Sequence, residues 1–232
     1  LIECGLPQGD STILESYNSM KRQANAIMSY IPTIENVFLC HPHIDHTGMV
    51  PLLNSDNGFK GRIISSRTCL EITKELLKDC VFVHAKNVEY LKSRGRKNKV
   101  IFTEPQLYDC FNHFEELSAT NVAVEINSNL KVIFRNNSHT VGSHNITLLV
   151  KEYNQNRWKS VTYTSDMGSQ INRDLTPYLK DQDIPMKGNV FISEATYSTS
   201  DRAMTRKMAF DDREDMLTII KEGLLNGRRI LL

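Results

Sequence analysis

The sequence lacks the features of a secreted or membrane-bound protein. Its five cysteines are scattered and odd in number, and they form no Cys-x-x-Cys pair. This usage predicts reduced thiols in a cytoplasmic protein rather than a disulfide framework. No signal peptide opens the chain, and no apolar run reaches the roughly 20 residues that a transmembrane helix needs. We therefore expect no membrane association.

The sequence also has no excess of positive or negative charge. The 28 Lys and Arg residues against 27 Asp and Glu residues give a net charge of +1. The composition therefore carries no global signal for a polyanionic partner. The only dense basic run covers residues 92–99. We interpret it as a solvated loop, with contact to an RNA backbone as the alternative.

The length and hydrophobic content allow a substantial core. The 232 residues, 40% of them hydrophobic, suffice for one large domain or two small ones. The chain begins with the apolar residues 1–2 and ends with the apolar residues 230–232. Both ends resemble interior positions, which predicts that the sequence is part of a longer protein.

Four residues of metal-ligand type occupy six consecutive positions as His-x-His-x-Asp-His: His41, His43, Asp45 and His46. Pro42 disfavours a helix interior, so the two leading histidines are expected on extended backbone, pointing to the same side. The apolar residues 37–39 predict a buried strand that ends just before them. Imidazole and carboxylate are zinc ligands. The pattern favours a metal site over a histidine-rich surface loop.

Hydrophobic spacing changes from helical to strand-like along the chain. One helix is predicted at about residues 20–31, ended by Pro32, and another at residues 70–77, followed by a less regular stretch at His84. Alternation from residue 122 predicts four strands: residues 122–126, 130–134, 146–150 and 161–163.

Two further helices are expected from local signals. Residues 47–53 predict a short helix, in which Gly48 would let the backbone approach bound metals. Thr103 and Gln106 are spaced as in a capping box. The helix that they open is expected to carry apolar side chains inward as far as Phe114.

The motif at residues 41–46 resembles the signature of the metallo-β-lactamase superfamily. The resemblance implies an α/β protein with an αββα sandwich fold. It also implies two Zn²⁺ ions, one held by the histidine pair and the second by Asp45 and His46. On this motif alone, hydrolysis of lactams, lactones, thioesters and phosphodiesters all remain open.

Three other segments resemble the superfamily's remaining motifs in the expected order. Glu3 follows the first apolar strand where Asp is usual, and His139 opens a His-Thr-Val-Gly-Ser segment. Asp166 follows Ser165, which stands where Gly is commoner. The resemblance implies that His139 is a metal ligand and that Asp166 bridges the two ions. His144 is the competing candidate, but no Gly-Ser follows it.

The last part of the chain resembles the β-CASP group of nucleases within this superfamily. Residues 194–198 are similar to the group's Glu-(Ser/Ala)-Thr-Tyr-Gly segment, and residues 206–220 look like the opening helix of its insert. The resemblance implies the N-terminal part of a metallo-β-lactamase domain at residues 1–204. It further implies the beginning of a β-CASP domain at residues 205–232.

This resemblance implies a zinc-dependent phosphodiester hydrolase that processes single-stranded RNA. Asp45 would also be catalytic, taking a proton from the attacking water. Glu194 would support a leaving-group histidine that, like one further metal ligand, lies beyond Leu232. The alternatives are a DNA nuclease of the same group, a small-molecule hydrolase of the same fold, and a metal-free scaffolding protein.

Overall fold

The computed structural model describes residues 1–117, 119–137, 139–152, 157–168, 189–194, 221–222 and 225–226. The chain divides into two compact units, Leu1–Ser193 and Glu194–Leu232. The helices and strands given below belong to the first unit. The helix predicted at residues 206–220 and the domain boundary predicted after residue 204 lie outside the described residues.

Three short strands form a parallel sheet in the order β1 (Asn36–Phe38), β2 (Arg62–Ser65) and β3 (Phe114–Glu116). The prediction that Phe114 belongs to the preceding helix is wrong. Backbone N–H groups of Asn112 and His113 bond to carbonyls three residues back and tighten the helix end. Phe114 can then extend and pair with β2.

Helices cover one face of this sheet: α1 (Ile13–Met28), α3 (Arg67–Ser93) and α4 (Glu104–Phe111). Both α1 and α4 begin with a capping box, in which each helix's first free N–H groups are satisfied by side chains. The residue pairs are Thr12 with Glu15 and Thr103 with Gln106. The predicted capping box and the helix predicted near residue 20 are confirmed.

Helix α3 is longer than its sequence pattern predicts. It runs for 27 residues and includes His84, so the irregular stretch expected there is wrong. The His84 ring is buried between Tyr17 and Phe102, and its Nε2 accepts a hydrogen bond from the backbone of Ile101. Among the described residues, neither α3 nor any other helix is long and apolar enough to cross a membrane.

A second sheet contains five strands in sequence order. The first four are antiparallel and the last joins in parallel. These strands are β4 (Val124–Asn127), β5 (Leu130–Asn136), β6 (His144–Lys151), β7 (Trp158–Tyr163) and β8 (Val190–Ile192). The four strands predicted from residue 122 onward are therefore confirmed.

Alternation along β1 builds two hydrophobic cores. Val37 and Leu39 point towards the helices, whereas Phe38 points towards the second sheet and meets Phe134 edge-on, with ring centroids 6.3 Å apart. Complete burial of such side chains stabilises the fold by about 1.5–3 kcal/mol each. The described residues thus build a helix layer, a sheet and a second sheet. The predicted α/β class is confirmed, and these layers are three of the four in the predicted αββα sandwich.

The loop after β1 differs from its prediction. A one-turn helix, α2 (Ile44–Thr47), comes first, and a separate 3-10 turn follows at Val50–Leu52. The single helix predicted at residues 47–53 is therefore wrong. His43 occupies the N-cap position of α2 without a side-chain capping bond. Pro51 favours a new start because its missing N–H suits the beginning of a helical turn.

Two glycines let the N-terminal segment lie against α2. A Cβ added at Gly5 would lie 1.6 Å from the carbonyl oxygen of Asp45, and one at Gly48 would lie 2.7 Å from the Leu6 Cβ. Leu6 N also donates to the Ile44 carbonyl. Gly48 therefore serves the packing of this segment, and its predicted role in letting the backbone approach metals stays a prediction.

Candidate metal centre

The structure brings six predicted side chains together from three chain segments. The first segment is the loop after β1, in which α2 turns Asp45 and His46 back towards the histidine pair. The second and third follow β5 and β7, which are neighbours of β6 in the second sheet. The six residues are His41, His43, Asp45, His46, His139 and Asp166.

Three ring nitrogens converge in the first of two clusters. The distances from His43 Nδ1 to His41 Nε2 and to His139 Nε2 are both 3.1 Å. Oδ2 of Asp166 completes the group, at 3.6 Å from His139 Nε2 and 3.9 Å from His41 Nε2. All four donor atoms lie within 4.8 Å of one another.

Hydrogen bonding alone does not account for this arrangement. An imidazole nitrogen offers either one hydrogen or one lone pair, so His43 Nδ1 can form only one good N–H···N bond with its two neighbours. Three nitrogens held by one tetrahedral ion at about 2.0–2.1 Å would lie about 3.3 Å apart. Both the donor chemistry and the spacing therefore fit a divalent metal ion.

The second cluster adjoins the first and shares a carboxylate with it. His46 Nε2 lies 3.4 Å from Oδ1 of Asp166 and 3.8 Å from Oδ2 of Asp45. Asp166 thus directs one oxygen towards each cluster. This is the arrangement in which one carboxylate can hold two cations. The His and Asp donors of the two clusters suit divalent metal binding, while the role of each residue stays a prediction.

Glu3, which occupies the position where the superfamily motif has Asp, accepts hydrogen bonds from residues of and beside the clusters. Its Oε2 accepts hydrogen bonds from His46 Nδ1 and from the Tyr163 hydroxyl, both at 2.7 Å. Its Oε1 accepts one from Ser165 Oγ at 2.9 Å. Burial and the Glu3 carboxylate raise the pKa of Tyr163, which keeps its hydroxyl available as a donor.

The two innermost histidines have opposite pKa shifts. Burial, reinforced by the neighbouring histidines, lowers the pKa of His41 to about 2. Its ring is therefore neutral at pH 7, with a lone pair that can bind a metal. Burial also lowers the pKa of His46, but the hydrogen bond to Glu3 and the nearby carboxylates outweigh it, and the net pKa is raised. A cation bound there would displace a proton.

His139, and not His144, lies in the cluster. His144 begins β6, its side chain is buried, and its ring packs against Phe134 with centroids 5.5 Å apart. Burial lowers its pKa to about 4. His144 is absent from the groups of described residues that could hold a metal.

Sequence reasoning missed the residue that joins the two ligand-bearing loops. The Asn137 side chain is buried; its Nδ2 donates to the Asp166 carbonyl at 2.8 Å, and its Oδ1 accepts from His139 N at 3.2 Å. Asn137 thereby fixes the distance between two predicted ligands. In the sequence, Asn137 indicates only the end of β5. No pattern in the neighbouring residues predicts its contact with Asp166, which lies 29 residues away.

Glu194 is the remaining predicted site residue. It is the first residue of the second compact unit. The residues that follow it in the predicted β-CASP segment, 195–198, lie outside the described residues. Its predicted catalytic role therefore stays a prediction.

Comparison with known proteins extends these findings. No family model matches the chain. It is 26% identical over 203 residues to Endoribonuclease YSH1 of Yarrowia lipolytica, covering 87% of this chain and 22% of that protein. It is 23% identical over 239 residues to Integrator complex subunit 11 of Danio rerio, covering 100% of this chain and 35% of that protein. The chain therefore spans about a fifth to a third of the length of these relatives.

Among solved structures, the chain is similar to BJP-1, a subclass B3 metallo-β-lactamase of Bradyrhizobium japonicum. The TM-score is 0.49 at 11% identity, over 94% of this chain and 84% of that chain. The curated relatives support the resemblance to the β-CASP group of the metallo-β-lactamase superfamily that the order of the motifs predicts.

Proposed function

We propose that this chain is the metal-binding part of a zinc-dependent phosphodiester hydrolase that processes single-stranded RNA. The observation that carries the proposal is the pair of adjoining clusters, which share the two oxygens of Asp166. Paired cations of this kind suit in-line displacement at phosphorus. The name of the Yarrowia relative, an endoribonuclease, supports RNA as the substrate.

The proposed ligand assignment follows the geometry of the clusters. The first ion would be held by His41, His43 and His139, the second by Asp45 and His46, with Asp166 common to both. Zinc is favoured because four of the six donors are imidazoles, which suit zinc better than calcium or magnesium. When bound, such ions lower the pKa of water and neutralise charge on phosphoryl oxygens.

The accessibility of the side chains indicates where the substrate would approach. The His41 side chain is fully buried and that of His46 is 12% exposed, whereas Asp45 is 45% exposed. Asp166 and His139 are intermediate, at 33% and 24%. The histidines therefore lie deeper in the site than the carboxylates, which are nearer to solvent. A phosphodiester would approach from the side of Asp45.

Asp45 is proposed to act as the general base. Its carboxylate is the most exposed of the six side chains and lies beside both His46 and the shared carboxylate. It is therefore placed to accept a proton from a water molecule that approaches from solvent. Glu194 is proposed, from the family motif, to support protonation of the leaving oxygen.

The test combines metal content with hydrolysis by the same protein. Purified without chelator, the chain should contain about two zinc ions per molecule, measured by elemental analysis. It should hydrolyse an activated phosphodiester such as bis-p-nitrophenyl phosphate, and a chelator should abolish this activity. Asp166→Asn should lose both metal and activity. Metal-free protein that cannot be reconstituted with zinc would refute the proposal.

A further inference from the structure

Two residues of the hydrogen-bond network around Glu3 have backbone conformations that residues other than glycine rarely adopt. Glu3 and Ser165 have φ angles of +57° and +54°. Asn121 is the only other non-glycine residue with positive φ among the described residues, and Asn adopts this conformation more readily than most. Strain of this kind persists where the surrounding structure and the function require a particular side chain.

The hydroxyl of Ser165 connects Glu3 to the fully buried His41. The distance from His41 Nδ1 to Glu3 Oε1 is 3.8 Å, which is too long for a direct hydrogen bond. Ser165 Oγ lies between them, 2.9 Å from Glu3 Oε1 and 3.2 Å from His41 Nδ1. Because its hydrogen is donated to the carboxylate, Oγ is left as an acceptor for the ring N–H.

This connection determines the tautomer of His41. With Nδ1 protonated and bonded to Ser165, the lone pair of Nε2 faces the first cluster. The other oxygen of Glu3 accepts from His46 Nδ1 at 2.7 Å, so the lone pair of His46 Nε2 faces the second cluster. One carboxylate therefore orients a histidine in each cluster, directly in one case and through a serine in the other.

We propose that Ser165 is a positioning residue, which together with Glu3 holds His41 in the tautomer that binds metal. The inference rests on the proposed function, because it takes His41 as a ligand. Gly at position 165 would relieve the backbone strain there. A serine held in this disfavoured conformation, with its hydroxyl bonded to Glu3 and beside His41, indicates that the hydroxyl itself is used.

The experiment compares zinc affinity and thermal stability in Ser165→Gly and Ser165→Thr. Ser165→Gly removes the hydroxyl and the strain, so zinc affinity should fall about 10–100-fold, the usual effect of losing an outer partner, without a fall in Tm. Ser165→Thr keeps the hydroxyl but places a β-branched residue at positive φ. It should bind zinc nearly as tightly as wild type while melting at a lower temperature.

A matched control is Asn121→Gly, which removes the third positive-φ side chain away from the site and should leave zinc affinity unchanged. Affinity would be measured by competition with a chromophoric chelator, and the His41 tautomer by ¹⁵N NMR of the zinc-loaded chain. The Nδ1 proton of His41 should be observed in wild type and Ser165→Thr and be lost to fast exchange in Ser165→Gly.

The possible outcomes separate this inference from the proposed function. A wild-type chain that binds no zinc would overturn both. A wild-type chain that binds zinc, with Ser165→Gly within about twofold of it, would overturn the positioning role alone. Affinities that follow Tm across the variants would also overturn it, because they would indicate a purely structural residue. If Ser165→Gly fails to fold, Ser165→Ala removes the hydroxyl while keeping the disfavoured backbone conformation. Zinc affinity within about twofold of wild type in Ser165→Ala would then overturn the positioning role.

Discussion

His139 and His144 are identical residues in different surroundings, and we therefore expect different roles for them. His139 Nε2 lies 3.1 Å from His43 Nδ1, whereas the His144 ring lies in the core beside Phe134. We expect His139→Ala to weaken zinc binding by more than the roughly 10–100-fold cost of losing an outer partner. His144→Ala should leave zinc affinity unchanged but lower the free energy of unfolding by about 2–4 kcal/mol. Calorimetric titration and denaturant unfolding would distinguish them.

Equal losses of zinc affinity in the two variants would contradict the assignment. So would a His144→Ala protein as stable as wild type, since a buried ring would then have been removed without a cavity. His139 is partly exposed, so its replacement should affect stability much less in the metal-free protein.

His144 also predicts a pH dependence of stability. Burial holds its pKa at about 4, against about 6.5 in the unfolded chain. The unfolded state therefore takes up this proton first, and stability is lost as the pH falls from about 6.5 towards 4, by an amount on the order of 3 kcal/mol. His144→Phe should lose less stability than wild type by this amount, because His41, whose pKa is also lowered, still contributes in both proteins. The comparison of metal-free wild type and variant by urea unfolding at pH 7 and pH 4.5 would test it.

The candidate metal ligands can be predicted from the sequence better than the residues that hold those ligands in place. His41, His43, Asp45 and His46 are adjacent, so their pattern is visible without a structure. The contact between Glu3 and Ser165 joins residues 162 positions apart, and it depends on how the N-terminal segment beside β1 meets the loop after β7. Such a contact leaves no periodic signal, which is why the roles of Ser165 and Asn137 emerge only from the fold.

Among the secondary-structure elements, α2 depends on the segment that crosses it. Gly5 leaves no room for a Cβ beside the Asp45 carbonyl, where the separation would be 1.6 Å. Gly5→Ala must therefore displace α2, which carries Asp45 and His46. We expect a loss of about 1–3 kcal/mol in stability, typical of overpacking, and weaker binding of the second zinc ion. Differential scanning calorimetry and zinc stoichiometry would measure both.

Gly95→Ala is the matched control for this substitution. A Cβ at Gly95 would meet nothing within 4 Å, although φ is +76°. It should therefore cost only the backbone strain of about 1 kcal/mol and leave zinc stoichiometry unchanged. Similar zinc losses in both variants would show that the contact with α2 is not responsible.

Capping motifs and hydrophobic periodicity predicted the helices and strands whose bounds depend mainly on neighbouring residues in the sequence. Periodicity predicted α1, although from about residue 20 rather than from Ile13. The capping box predicted the start of α4, and alternation predicted β4 to β7. The errors occur at α2, at β3 and in the length of α3. At α2 and β3 a packing partner distant in the sequence decides the boundary: the N-terminal segment for α2, and β2 for β3.

In the molecule as a whole, the basic run lies far from the metal centre along α3. The first turn of α3 contacts the His139 loop through Ser66 and Gly142, and Ser93 ends the helix 27 residues later. At 1.5 Å per residue this is about 40 Å. Residues 93–97 are exposed, and the Arg94 guanidinium lies 5.4 Å from the centre of the Tyr90 ring. The preferred interpretation of the run as a solvated loop agrees with this placement, and RNA contact there stays a hypothesis.

The last prediction concerns what this chain can do without additional sequence. Phosphate contacts by Lys and Arg supply most of the affinity for nucleic acid, and the net charge here is only +1. The family resemblance places the leaving-group histidine beyond Leu232, and general acids contribute about 10²–10⁴-fold to rate. We therefore expect residues 1–232 to bind zinc but to cleave single-stranded RNA at least about 100-fold more slowly than a version extended past Leu232. Gel assays with labelled RNA, with and without zinc and at two salt concentrations, would compare them. Equal zinc-dependent rates would place the complete catalytic site within these residues and contradict the prediction.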